Sequence, residues 1–195
     1  MPEPIKIDEL SFPFKNKDIL SIYSINQANT PEVGSLESTE KLRELLRMSS
    51  LVLVAKINNE IIGFVVCLEA GADYASLNYK YISKKAKKFV YIDRVAIKNE
   101  HRRSGVGKSL YEIIFNYSEK YELPVYCEVN TKPKNQPSLD FHRKIGFFKI
   151  GSNNFKDHSV AYFLKTDFPT LPPQRWESIQ STKWNLVLSN SLDIL

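Results

Sequence analysis

Apolar positions along this chain change period several times, and each change marks the edge of an element. Ile5 to Phe14 can supply a first strand, which Pro4 and Pro13 keep short. From Asn16, a capping residue, helical spacing runs to Ala28 with Ile19, Ile22, Tyr23 and Asn26 as its inward stripe, and Pro31 ends it. A second helix covers Ser38 to Met48, with Leu42, Leu45 and Leu46 inside and Glu40, Arg43 and Glu44 outside. Leu51 to Ile57 and Glu60 to Leu68 are strands about Asn58-Asn59, a hairpin signal, because a parallel crossover needs far more chain.

Gly71 to Lys88 is polar and aromatic without a clear period, and holds a short helix or a long loop. Tyr91, Asp93, Val95 and Ile97 then alternate with Ile92, Arg94 and Ala96, which predicts a strand with those four on one face. After a basic, glycine-bearing turn, Val106, Leu110, Ile113, Ile114 and Tyr117 recur at helical spacing up to Tyr121. Leu123 to Val129 is an apolar strand, and a helix runs from Gln136 or Pro137 to Ile145, stopped by Gly146. Phe147 to Gly151 and Ser159 to Leu164 close the pattern as antiparallel strands. The order is that of a mixed α/β (α+β) chain and not of a repeat.

Composition narrows this picture only a little. The 195 residues suit one core of ordinary apolar content, with a domain over residues 1–165 and a proline-rich extension over 166–195. Trp176 and Trp184 lie in that extension, which is expected to pack on the domain or on a neighbouring subunit of a homodimer. A net charge of +5 suits an anionic cofactor, an acidic substrate or loose nucleic-acid contact without choosing among them. The lysines between Lys80 and Lys88 read as a solvated face, and no nucleic-acid-binding motif accompanies them. The N-terminus lacks the form of a secretion signal and no apolar run is long enough for a membrane span, so the cytoplasm is the expected compartment. Cys67 and Cys127 have no nearby His or Cys partner, so they read as buried thiols and not as a zinc site, although Cys127 lies near the region of interest and can be reactive.

The turn Arg102-Arg103-Ser104-Gly105-Val106-Gly107 carries the candidate chemistry. It places two arginines and two glycines at a helix start, where backbone amides are unpaired and an anion is favoured. A Walker loop needs a glycine five residues before Gly107-Lys108-Ser109, where Arg102 stands; a dinucleotide-binding turn needs a third glycine at Leu110. An ordinary strand-to-helix connection needs no ligand. Arg-x-x-Gly-x-Gly between a strand and a helix resembles the acyl-coenzyme A pyrophosphate loop of the GNAT superfamily of N-acetyltransferases. Asn135, Ser138, Phe141, His142, Gly146 and Phe147 also match that superfamily's Asn-x-x-Ala/Ser-x-x-Phe/Leu-Tyr-x-x-x-Gly-Phe, His142 in place of tyrosine being the departure. The similarity runs from about Ile19 to Leu164, and EAGADY, VYIDRVAI, CEVN and FHRKIGF look like a bacterial subgroup of predicted acetyltransferases.

The resemblance implies a mostly antiparallel sheet splayed at its cofactor site and flanked by helices. It implies acetyl-CoA or coenzyme A as cofactor, with its pantetheine along Val95, Ala96 and Ile97. Arg102, Arg103, Ser104, Gly105, Val106, Gly107, Lys108 and Ser109 would meet its pyrophosphate, and Asn135 and Phe141 would lie beside it. Asp93 is the expected base or amine-binding charge, although an unperturbed carboxylate near pKa ~4 is a feeble base at neutral pH. Its other reading is an ion pair with a lysine or arginine. His142 stands where the superfamily's tyrosine protonates the departing sulfur; its other reading is a hydrogen-bonded packing residue. Tyr74 and Tyr79 either line an acceptor pocket or cap the core, and Tyr91, Glu128 and Asn130 fall on the acceptor side. The leading expectation is an N-acyltransferase acting directly on a small-molecule amine or a protein amino group, with no metal; the alternative is a noncatalytic acyl-CoA sensor.

Overall fold

The computed structural model describes residues 3–167, so the expectation for the C-terminal extension lies almost wholly outside the described residues. The elements are β1 (Lys6–Glu9), α1 (Asn16–Ala28), α2 (Thr39–Met48), β2 (Leu51–Ile57), β3 (Glu60–Glu69), α3 (Leu77–Ser83) and β4 (Val90–Ile97). After a 3-10 turn at Asn99–His101 come α4 (Val106–Tyr121), β5 (Val125–Lys132), α5 (Gln136–Lys144), β6 (Phe148–Asn154) and β7 (Ser159–Lys165). Seven strands form one sheet in the order β1-β2-β3-β4-β5-β7-β6, antiparallel except where β4 meets β5.

Both faces of that sheet are buried, each against its own helices. Ile19, Ile22, Leu42 and Leu46 of α1 and α2 pack with Phe64, Tyr91 and Tyr162 on one face. Leu110, Tyr111 and Ile114 of α4 pack with Val65, Ile92, Cys127 and Phe163 on the other. Burying one such Leu or Ile side chain contributes about 1.5–3 kcal/mol, which is why the helix stripes were readable from spacing. Ser38 caps α2 by accepting from the Lys41 amide at 3.3 Å, and the Asn58-Asn59 turn has both residues at positive φ (51° and 63°), the twist that a two-residue hairpin requires.

One predicted regularity fails. Cys67 of β3 aligns with Ile92 and Val66 with Arg94, so Asp93 is an extra residue, a β-bulge, in β4. The bulge reverses side-chain parity: Tyr91 and Ala96 belong to the α1/α2 face, while Val95 and Ile97 pack on the α4 face. Tyr91 and Val95 therefore do not share a face with Asp93 between them, as alternation predicts. Sequence cannot reveal this, because the bulge exists only relative to the partner strand.

Candidate active site

β4 and β5 run parallel but pair only at Val90–Val125, Tyr91–Tyr126 and Ile92–Cys127. Beyond that point they part, although β4 continues to pair with β3 as far as Ile97 and β5 with β7 as far as Lys132. The result is a wedge whose apex is marked by the first residue past the last pair on each strand, Asp93 and Glu128. Along one bank, no strand among the described residues covers the β5-facing backbone edge around Val95, Ala96 and Ile97.

The basic turn lies where β4 leads into α4. Residues Arg102 to Gly105 are exposed, with Arg103 (φ 62°) and Gly105 (φ 93°) in the left-handed region. Such alternation turns successive amides to one side and forms an anion-binding concavity. Gly105 is the N-cap of α4, and only glycine takes that φ without steric cost. The Ser104 hydroxyl donates to the His101 carbonyl at 2.6 Å and so fixes the turn, while Val106 is buried and anchors the helix below it. Gly107 is lined by Phe141 and Ile97, Lys108 is exposed and pairs with Glu112 at 3.6 Å, and Ser109 starts the second helical turn. Arg102 differs from its neighbours: its guanidinium donates to Asn29 Oδ1 at 2.6 Å and is turned toward the end of α1.

Two carboxylates at the apex have different surroundings. Asp93 Oδ2 accepts from Arg94 Nε at 2.8 Å, the two side chains being only 5% and 8% exposed. Arg94 also donates to Asn26 Oδ1 at 2.8 Å and to the Gly34 carbonyl at 3.2 Å. Asp93 is therefore neutralised by its chain neighbour. Burial alone would lower the Arg94 pKa, but the Asp93 charge and its hydrogen bond more than offset it and hold Arg94 protonated.

Among the described residues Glu128 makes no ion pair. Its Oε2 accepts from the Tyr91 hydroxyl at 2.6 Å and its Oε1 from Asn78 Nδ2 at 3.1 Å. Desolvation of the carboxylate outweighs these two donors and, with the Asp93 charge nearby, pushes its pKa up to about 8. The residue as a whole keeps part of its surface open. A carboxyl with a pKa of about 8 exchanges its proton close to neutral pH.

The surroundings of His142 favour the packing reading over the acid role. It is 3% exposed, its Nδ1 lies 2.8 Å from the Ser138 carbonyl and its Nε2 lies 2.7 Å from the Tyr111 hydroxyl. A carbonyl only accepts, so Nδ1 carries the proton and Nε2 accepts from Tyr111. Burial among Tyr111, Phe147 and Phe163 lowers its pKa to about 4, and at neutral pH the ring has no extra proton to give. It is a packing residue.

Tyr79 is likewise structural: 3% exposed, it donates to the Glu69 carbonyl at 2.6 Å and accepts from the Ala72 amide at 2.9 Å. Tyr91, fully buried, cannot meet an acceptor directly and instead holds Glu128. Tyr74 is half-buried beside Asp93 and Arg94, its hydroxyl pKa raised by burial and then by Asp93. Asn130 Nδ2 donates to the Pro31 carbonyl at 3.3 Å. Asn135 is the N-cap of α5, its Oδ1 accepting from the Ser138 amide at 3.2 Å. The α1–α2 loop is thus tied to β4 through Arg94, to β5 through Asn130 and to the basic turn through Arg102. Asn78, Arg94 and Tyr111 were not singled out from the sequence; each acts through a partner in another element, and no local spacing signals that.

This geometry is that of an acyltransferase of the wedge-and-turn kind. The chain belongs to the acetyltransferase (GNAT) family, whose model matches residues 19–147. No curated protein matches the sequence. Among solved structures it resembles Ard1 from Thermoplasma volcanium (22% identity, 85% of this chain and 99% of that one, TM-score 0.65). It also resembles the ribosomal-protein-S18-alanine N-acetyltransferase from Escherichia coli (13% identity, 88% and 99%, TM-score 0.63). NAA60 from Arabidopsis thaliana, solved in complex with acetyl-CoA, is a third (18% identity, 84% and 99%, TM-score 0.63). Among the described residues no helix is long and apolar enough to cross a membrane.

Proposed function

We propose that this acetyltransferase uses acetyl-CoA and moves the acetyl group directly to a primary amine in a ternary complex, with Glu128 taking the amine proton. What supports the reading most is the wedge itself: an uncovered strand edge leads from an anion-binding turn to an apex occupied by an uncompensated carboxyl. The residues present suit the cofactor. The amides from Arg103 to Ser109 would hold its pyrophosphate, and Gly107 with Phe141 would let the chain approach closely. The Val95–Ile97 edge would pair with its amide-bearing arm, and Asn135, at the start of α5, would meet it from the other side. When bound, acetyl-CoA supplies an activated acyl carbon and a thiolate leaving group.

The chain's own residues handle position and protons. The backbone amide near Val95 polarises the carbonyl, a contribution that is large when donors are fixed in advance. Glu128 accepts the amine proton directly or through one water. At pKa about 8 it is about a tenth ionised at pH 7 and close to the range of α-amines (~7.7–8.0), where transfer costs little. Because a thiol ionises near ~8.5, Glu128 is also able to return that proton to the sulfur. Asp93, paired with Arg94, supplies field and shape at the apex, replacing the base role read for it from the sequence. Tyr74 and Asn130 flank the acceptor, which is a small amine or a protein amino group.

Thiol release measured with a panel of amines, including α-amino peptides and lysine side chains, against a no-acceptor control tests the proposal. Amine-dependent release that disappears in Glu128→Gln supports it. Cofactor binding by calorimetry with no release for any amine would instead favour a noncatalytic sensor, and no binding would overturn both readings.

A further inference from the structure

The segment between β3 and β4 showed no motif, yet α3 sends a polar side chain to the wedge apex. Asn78 Nδ2 donates to Glu128 Oε1 at 3.1 Å, and the Tyr162 hydroxyl donates to Asn78 Oδ1 at 2.9 Å. The second bond fixes the first: a hydroxyl engaged with the oxygen end of the amide leaves the NH2 end toward the carboxylate. Tyr162, fully buried on β7, also stacks on Tyr81 of α3 with ring centroids 4.1 Å apart and planes 10° from parallel. Asn78 and Tyr81 are three residues apart and so lie on one helix face, which clamps α3 to β7 at two points. The two Glu128 oxygens thereby have one neutral donor each, Tyr91 from β4 and Asn78 from α3.

We propose that Asn78, held by Tyr162 and the Tyr81 stack, is a positioning residue for acyl transfer, orienting Glu128 and favouring its ionised form. The inference rests on Glu128 being the proton acceptor. Donors to a carboxylate stabilise its charge, and in a desolvated site each one counts for more. The titratable groups around Glu128 are Tyr91 and Asp93 of β4, the latter with Arg94, and Tyr162 of β7, with Tyr111 of α4 and Cys127 on the other face of the sheet. Arg94, bonded to Asp93, is the one cation among them, so losing the Asn78 donor leaves the Glu128 charge only the Tyr91 hydroxyl and its own backbone amide.

The test is the pH dependence of kcat/KM for the full chain. Wild type rises with pH through a limb set by Glu128. Asn78→Ala is expected to move that limb up by about one pH unit, lowering kcat/KM about tenfold at pH 7 while the rates converge near pH 9.5. Asn78→Asp, which adds an acid next to an acid, moves it further. Tyr162→Phe, which removes one hydroxyl, moves it the same way by less and serves if Asn78→Ala does not fold. Exposed Leu77→Ala leaves the limb in place. An unmoved limb in both Asn78→Ala and Tyr162→Phe, or an equal loss at every pH, overturns the inference. If Glu128→Gln keeps wild-type rates, it is the Glu128 reading that fails first; if Glu128→Gln is inactive and the limb of Asn78→Ala stays put, only the present inference fails.

Discussion

Replacing Arg94 with methionine isolates the electrostatics of the apex. Arg94 and Asp93 are bonded at 2.8 Å with side chains 8% and 5% exposed, so the substitution strands an ionised carboxylate in a site that solvent barely reaches. It also removes the donor to Asn26 Oδ1 and to the Gly34 carbonyl. Breaking a buried pair from one side costs about 3–5 kcal/mol, a large part of the ~5–15 kcal/mol that holds a domain folded. For a chain of this size that is a fall in Tm of roughly 6–20 °C. Calorimetry or urea unfolding at pH 7 measures it. The diagnostic is the partner: Asp93→Asn in the same chain removes the stranded charge and is expected to restore much of the loss, a coupling that unrelated sites do not show. The surviving Asp93 charge in the single variant also raises the Glu128 pKa further, so the alkaline requirement for activity deepens. A loss below ~1 kcal/mol, or no recovery in the double variant, would falsify the buried ion pair as the organiser of this region.

Other consequences are simpler to read. Glu128→Gln is expected to lower turnover about 10²–10⁴-fold with cofactor affinity nearly unchanged, checked by thiol release and calorimetry. Because the folded pKa of Glu128 lies above its ordinary value, the folded state keeps a proton that the unfolded chain has lost between about pH 4.5 and 8. Its contribution to stability therefore falls as pH rises through that window, and Glu128→Gln gains relative to wild type in melts at pH 8.5. His142 works at the other end: its folded pKa near 4 lies below its ordinary value, so stability is lost as pH falls from about 6.5 to 4, and His142→Gln flattens that acid loss while keeping turnover within a few-fold. Gly105→Val forces a β-branched residue to φ 93° and is expected to weaken acetyl-CoA binding far more than it lowers Tm.

Most of the fold was legible in the sequence for a plain reason. Leu42, Leu45 and Leu46, or Leu110 and Ile114, announce their face by spacing alone, and Gly105 and Gly146 announce where backbone turns left-handed. The turn before α4 was legible for the same reason, since its chemistry is local. What spacing could not give is whatever depends on a partner far along the chain. Tyr91 and Glu128 were both placed on the acceptor side, but their 2.6 Å bond, and hence the division between a buried support and a titrating group, joins strands that only the sheet brings together. His142 was read from its motif position; its neutrality comes from burial in a pocket that Tyr111, 31 residues upstream on another helix, helps to close. Asn78 had no period to mark it, because a seven-residue helix held by a ring stack and an amide needs none.

The extra residue in β4 has a lasting consequence for how this enzyme can change. Substitution cannot remove it; deletion of one residue would, and since Arg94 already stands opposite Val66 and Val95 opposite Val65, the faces of Arg94 to Ile97 would be kept while the kink at the apex was lost. On both sides of the bulge the strand feeds both helix layers, Tyr91 and Ala96 the one, Ile92 and Val95 the other. A lineage that trimmed the bulge would keep its core and straighten the mouth of the wedge.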